Sequence, residues 1–284
     1  MLECYCDCEG VEFPFTAEDF FTEQDINMIN GNVIPTDITV QSGNIKWTNW
    51  SSDKIPTEAK AGRWADSTDS NQLTFSGSGF ISNLELKRKV SDWLHETFNP
   101  EFLQNNWNIN GFNTPPVTVL CFAKSTGWHK EGPVTIPATA PTDFDNTFLN
   151  AYRHPGLCNF RLLGDKEGSS IQFAKPSEKM WNAELELIEK FCHDYHVAKQ
   201  PITIVHNDLT MGVDSHWPTT GVWEDELEII TEHVGMHNPY LVNIGQWHRV
   251  KTNGQPRVTF RVHGNHNLTF KQIEEMYDTG KLFN

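Results

Sequence analysis

No run of about 18 apolar residues, the length a membrane-crossing helix needs, occurs in the 284-residue chain, whose mean hydropathy is −0.49. No block of about five or six Lys and Arg residues is present either, and the formal net charge is −15. That balance disfavours sequence-independent contact with nucleic-acid phosphates or anionic lipid. The opening MLECYCDCEG lacks the basic-then-apolar order of a secretory signal. There is no internal repeat of about 20–50 residues and no low-complexity tract. Cysteine pairs at the C-x₂-C spacing of common zinc sites are missing. From these absences we expect a soluble, cytoplasmic protein that has no membrane contact and no nucleic-acid partner.

Six cysteines are present. Cys4, Cys6 and Cys8 occupy alternate positions and read as one edge of a strand. Cys121, Cys158 and Cys192 lie in apolar segments and read as small core residues in a reducing compartment. Apolar residues make up 38% and aromatics 12%, ample for a full core.

Periodicity divides the chain in two. Over 1–106 it reads as a helical and irregular extension packing on the rest. TAEDFFTEQDINMIN (16–30) suggests a helix capped by Thr16, and SNLELKRKVSDWLHETF (82–98) a clearer one capped by Ser82, with Leu84, Leu86, Val90, Trp93 and Leu94 on one stripe. Over 107–284 short strands separated by turns prevail: VTVLCF, NFRLL, SSIQFA, ITIV, ELEII, PYLVNI, QWHRV and RVTFRV. One helix, near 177–197, interrupts them, and a Thr269/Gln272 capping box opens a last helix at about 270–279. Many short strands with turns between them predict a mainly β double-sheet jelly roll with flanking helices.

The stretch STGWHKEGP (125–133) follows the apolar run PVTVLCF and sets His129 and Glu131 two apart. On extended backbone such residues point to one side, as two ligands of one metal would. Downstream, QWHRVKTNGQPRVTFRV brings His248 up to a TNGQP turn and Arg257 after it, so the spacing predicts a hairpin with His248 and Arg257 near one end. Two histidines and a carboxylate on one face of a metal leave positions open for a bidentate co-substrate and dioxygen. An arginine fork suits the far carboxylate of such a co-substrate.

On these residues the chain resembles the Fe(II)/2-oxoglutarate-dependent dioxygenase superfamily, over about 116–263. Its pattern of H-x-D/E, a distal His and a following Arg is matched by WHKEG and WHRVKTNGQPR. The wording of the distal motif is similar to the aspartyl/asparaginyl and prolyl hydroxylase-like branches, as is NFRLLGD (159–165). The resemblance implies a double-stranded β-helix (cupin-like jelly roll) binding Fe(II) through His129, Glu131 and His248. It also implies 2-oxoglutarate paired with Arg257, with Arg161 as a weaker second contact, and hydroxylation of a C–H bond. The carboxylate, present as Glu131, argues against the halogenating branch. An amino acid, a small metabolite or a peptidyl side chain would all suit as substrate.

Rival readings come from the same chain. ITIVHNDLTMG offers His206 and Asp208 as a second H-x-D. A jelly roll places about four strands between its first motif and the distal His, and 132–247 has room for them while 209–247 does not. Arg261 lies on the same strand face as Arg257, and alternation alone leaves both open. The pairs His193/His196 and His233/His237 have helical zinc spacing but no matching partners. His263 and His266 follow the last strand and would line its mouth. Three function classes result: the oxygenase; a zinc-type metalloprotein using His206, Asp208 and His216; and a non-catalytic jelly roll that binds sugar or protein.

Overall fold

The computed structural model describes residues 4–30, 39–49, 76–103, 108–109, 112–113, 117–122, 125, 127–131, 157–164, 169–198, 203–206, 209–212, 216–218, 225–234, 239–252, 257–265 and 268–284. Its strands are β1 (Tyr5–Asp7), β2 (Thr39–Ser42), β3 (Ile45–Asn49), β4 (Ser76–Ile81), β5 (Asn108–Ile109), β6 (Phe112–Asn113), β7 (Val117–Phe122), β8 (His129–Glu131), β9 (Leu157–Leu163), β10 (Ser169–Pro176), β11 (Thr203–His206), β12 (Leu209–Gly212), β13 (His216–Pro218), β14 (Leu227–Val234), β15 (Tyr240–Val242), β16 (Trp247–Thr252) and β17 (Arg257–His263). The helices are α1 (Ala17–Phe20), α2 (Glu23–Asn30), α3 (Leu84–Thr97), α4 (Glu178–Ala198) and α5 (Phe270–Asp278). The β-rich character with a few flanking helices is as expected, and the ladders are antiparallel. No helix among the described residues is long and apolar enough to cross a membrane.

Two larger sheets form. One runs β1-β15-β9-β17-β7-β4-β3-β2, the other β13-β8-β16-β10-β14, and β11-β12 and β5-β6 are separate two-stranded ribbons. Period-2 alternation in β17 sorts its residues. Val258, Phe260 and Val262 join a core with Phe20 of α1, Leu86, Val90, Trp93 and Leu94 of α3, and Phe270 and Ile273 of α5. Trp93 meets Phe13, Phe15, Phe98, Phe160 and Phe260 at ring-centroid distances of 5.3–6.1 Å. Truncating an aromatic buried in this way costs about 3–5 kcal/mol. Arg257, Thr259, Arg261 and His263 take the opposite face. There Tyr240 and Val242 of the large sheet pack with Ile171, Phe173 and Val250 of the small one, which makes the sheets two facing layers. On the outer side of the small sheet the indole Nε1 of Trp247 donates to Glu184 of α4 at 3.1 Å.

Four differences from the sequence expectations have physical causes. First, β16 and β17 are not a hairpin: β16 pairs with β8 and β10, and β17 with β7 and β9. The two strands lie in different sheets, because β16 gains a six-pair ladder to β10 and one pair to β8, and β17 gains ladders to β7 and β9, all distant in sequence. Second, the first 106 residues contribute β1 to β4 to the large sheet, β4 pairing with β7. Third, residues 16–30 are two helices. Phe21 turns extended at φ −122° and ψ 153°, and Thr22 and Asp25 bond reciprocally to start α2. Fourth, Asn83 caps α3, its Oδ1 accepting from the backbones of Glu85 and Leu86, while the Ser82 hydroxyl donates to the Asn44 carbonyl at 3.0 Å.

The β2–β3 connection is the residue pair Gly43–Asn44, and it docks on the end of α1. Asn44 donates its backbone N–H to Phe20 and its side-chain amide to Asp19, each at 2.8 Å. Gly43 sits at φ +54°, and a Cβ there would lie 2.6 Å from the Phe20 carbonyl oxygen. Gly43→Ala is therefore expected to destabilise the protein by about 2 kcal/mol or more in urea unfolding, combining left-handed strain with a backbone clash. An unchanged midpoint would show that the turn relaxes freely.

Candidate functional site

His129 begins β8 and His248 is the second residue of β16, and the ladder puts them directly opposite each other. They are 3% and 4% exposed, and their ring centroids stand 4.4 Å apart at an interplanar angle of 53°. Each Nδ1 lies 2.8 Å from the carbonyl oxygen two residues earlier, that of Gly127 for His129 and of Gln246 for His248. A carbonyl oxygen only accepts, so each Nδ1 carries the proton. Two imidazolium ions at this spacing would repel by about 4 kcal/mol even at an effective dielectric constant of about 20. Repulsion thus disfavours both rings being charged together, and a neutral ring whose Nδ1 holds the proton presents its lone pair on Nε2. Histidines that hold a metal through Nε2 are oriented in this way, by an Nδ1–H bond to a carbonyl.

Glu131 follows two positions after His129 in β8 and is paired with His216 of β13. The side chains of Glu131 and His216 lie outside the described residues, as does Asp208. No cluster of three His, Cys, Asp or Glu side chains is found among the described residues. His206 ends β11, whose ladder is to β12 and not to either large sheet. Between the two H-x-acid candidates, the backbone brings the His129 motif to His248.

Arg257 opens β17 on the face that looks toward the small sheet. It is 1% exposed, and one Nη2–H donates to the hydroxyl of Tyr240, itself fully buried in β15. Its Nε and Nη1 are buried without a hydrogen-bond partner among the described residues. Burial lowers its affinity for its proton, and Tyr240 offsets that in part. Burial also pushes the Tyr240 phenol up, so that hydroxyl stays neutral. A buried guanidinium with unmet donors and, among the described residues, no carboxylate partner has the chemistry to receive an anion. Arg261, the other candidate from alternation, donates from Nε to Asn159 at 3.1 Å.

A run of ring contacts joins the histidine pair to this arginine across the inter-sheet space. His248 lies 6.2 Å from Phe173, Phe173 6.0 Å from Tyr5, Tyr5 4.4 Å from His233, and His233 stacks on Tyr240 at 4.7 Å. His233 Nε2 is 2.8 Å from Asp7 Oδ1, which ties the N-terminal strand β1 across to β14. Tyr240, Tyr5 and Phe173 escaped the sequence reading, and His233, weighed there only as half of a zinc-spaced pair, stands in strand β14; only the pairing of distant strands brings the four together.

Behind the pair, on the other face of the small sheet, Trp128 lies under the Arg249 guanidinium at 4.5 Å. Arg249 donates to Gln172 at 2.8 Å, and Gln172 and Ser170 donate to Glu232, holding its carboxyl below the ordinary range. This line fixes the residue before His129 by a cation–π contact of about 0.5–1 kcal/mol and a charged network.

Cys6 and Cys158 are not activated thiols. Burial, with Cys8 beside it, pushes Cys6 up to about 12, and burial with a bond to Cys8 pushes Cys158 well up. Thiols held protonated in this way are poor nucleophiles and poor metal ligands.

No protein-family model, curated protein or solved structure matches the chain.

Proposed function

We propose that this chain is an Fe(II)- and 2-oxoglutarate-dependent dioxygenase that hydroxylates a C–H bond of an amino acid, a peptidyl side chain or a small metabolite. The observation that carries this reading is the buried pair His129 and His248, side by side on adjacent strands with matched Nδ1–H anchors. The strand order supports a double-stranded β-helix. β7, β9, β15 and β17 belong to one sheet and β8, β10, β14 and β16 to the other, in orders that interleave early and late strands as in a jelly roll.

His129, Glu131 and His248 would hold the iron, a ligand set that leaves open positions. Arg257, oriented by Tyr240, would receive the far carboxylate of 2-oxoglutarate, and its orphaned Nε and Nη1 fit that group. With iron and co-substrate bound, the chemistry supplied is dioxygen activation coupled to decarboxylation of 2-oxoglutarate to succinate and CO₂, with hydroxylation of a C–H bond. The chain's own part is to bind, orient and keep water out. The carbonyls of Gly127 and Gln246 keep the ring protons on Nδ1, and the buried Phe173 and Tyr240 give the space between the sheets a dry wall.

Anaerobic titration of the metal-free protein with Fe(II) and 2-oxoglutarate tests the reading. A weak visible charge-transfer band that requires both components is expected. Its absence from folded protein would overturn the proposal and return the chain to a binding role.

A further inference from the structure

Arg257 is not the only unmet cation on the inner face of the large sheet. Arg161 of β9 stands directly across the ladder from Thr259 of β17, one step along from Arg257. The Nη1 of Arg161 is buried without a hydrogen-bond partner among the described residues. The same holds for the Oγ1 of Thr259, a residue 0% exposed. Neighbours of Arg161 on its own strand, Cys158 and Phe160, belong to the core on the other side, so alternation turns Arg161 toward the small sheet. No ion pair of Arg161 or Arg257 is found among the described residues, and no Asp or Glu occurs in β9 or β17.

We propose that Arg161 and Thr259 form a second oxyanion site, and that the substrate of this protein is itself a small anion carrying a carboxylate or phosphate. The identity of the ligand as substrate rests on the oxygenase reading, while the anion site does not. Arg257, with Nε and Nη1 both open, can meet the far carboxylate of a dicarboxylate co-substrate at two points by itself, so Arg161, which the resemblance offered as a weaker second contact, is open to another anion. A half-buried guanidinium whose buried Nη1 is unmet, beside the unmet hydroxyl of the fully buried Thr259, therefore suits a second anion. The charge distribution narrows its class. A net charge of −15 over the whole chain repels extended polyanions such as nucleic acid, whereas a cationic interior face accepts a compact anion that can enter it.

Calorimetric titration of inorganic phosphate, and separately of succinate, into protein held anaerobically with Fe(II) and saturating 2-oxoglutarate tests the site. One phosphate or succinate per chain is expected to bind. Arg161→Met is expected to weaken that binding at least tenfold, Arg161→Lys less, and both to leave the midpoint of the 2-oxoglutarate band within about twofold. Arg161→Met should melt no lower than the natural protein, since it removes an unmet buried donor. If neither probe binds, or if binding ignores Arg161→Met, the proposal is overturned. It is equally overturned if Arg161→Met weakens 2-oxoglutarate and spares the probe, which would assign Arg161 to the co-substrate. If no charge-transfer band forms in the natural protein, the oxygenase reading has failed on its own. The same phosphate titration on metal-free protein then decides the anion site separately.

Discussion

The His129→Ala protein is expected to lose Fe(II) binding, and with it the charge-transfer band, at metal concentrations that saturate the natural protein. Disturbing a group that merely orients a ligand weakens metal affinity about 10–100-fold, so deleting one of three protein ligands should exceed about 100-fold. The fold should survive the change. His129 is buried but lies on a three-residue strand, and its Nδ1 hydrogen bond is local, to Gly127. The loss falls within the usual range of about 1–3 kcal/mol for a buried residue. Circular dichroism and a melting curve would separate a metal-binding defect from unfolding. The variant also separates the three function classes. A zinc-type site built on His206 and a metal-free binding protein would both be untouched by it. His206→Ala, on the β11–β12 ribbon, is the control and should bind Fe(II) as before. Unchanged iron affinity in His129→Ala would remove the site assignment.

Much of the core was legible because its signals are local. Alternation in RVTFRV and VTVLCF specified strands, the spacing of Leu86, Val90, Trp93 and Leu94 specified the stripe of α3, from which Leu84 departs as an exposed first residue, and the Thr269/Gln272 box opens α5 as expected. What was not legible is set by pairing between distant segments. The HKE strand is three residues long, too short for any period, and exists because β16 and β13 flank it. The TNGQP segment carries turn residues, yet whether a turn closes a hairpin or crosses between sheets depends on which ladders the two strands complete. The choice between Arg257 and Arg261 has the same origin. Both share a strand face in sequence, but Tyr240 from β15 meets Arg257 and Asn159 from β9 meets Arg261. Of the N-terminal strands, the alternating cysteines indicated β1, while β4 (SGSGFI) was obscured by its Ser and Gly content and is held by neighbours on both sides.

Arg257→Met is expected to have effects of opposite sign on stability and on ligand binding. Holding a lone cation in the interior costs several kcal/mol, and here a single phenolic oxygen offsets part of that cost. Methionine fills similar space without charge, so the ligand-free variant should be as stable as the natural protein or more stable by about 1–3 kcal/mol, less what Tyr240 loses when its hydroxyl is left unpaired. Binding should move the other way. A charge-assisted hydrogen bond is worth about 1.5–3 kcal/mol, and losing a two-point contact to the carboxylate should weaken 2-oxoglutarate by about 100-fold or more. The natural protein should therefore melt higher when the co-substrate is added with metal, and Arg257→Met should hardly respond. Arg261→Met, whose Nε already serves Asn159, should keep 2-oxoglutarate affinity within a few fold. An ordinary structural arginine would give the reverse pattern: lower stability on removal and an undisturbed response to 2-oxoglutarate. That pattern would take Arg257 out of the site, because its burial would then be compensated from within the fold. A gain in stability with a loss of binding is the signature of a charge kept for a ligand, and melting curves of two variants with and without co-substrate are enough to read it.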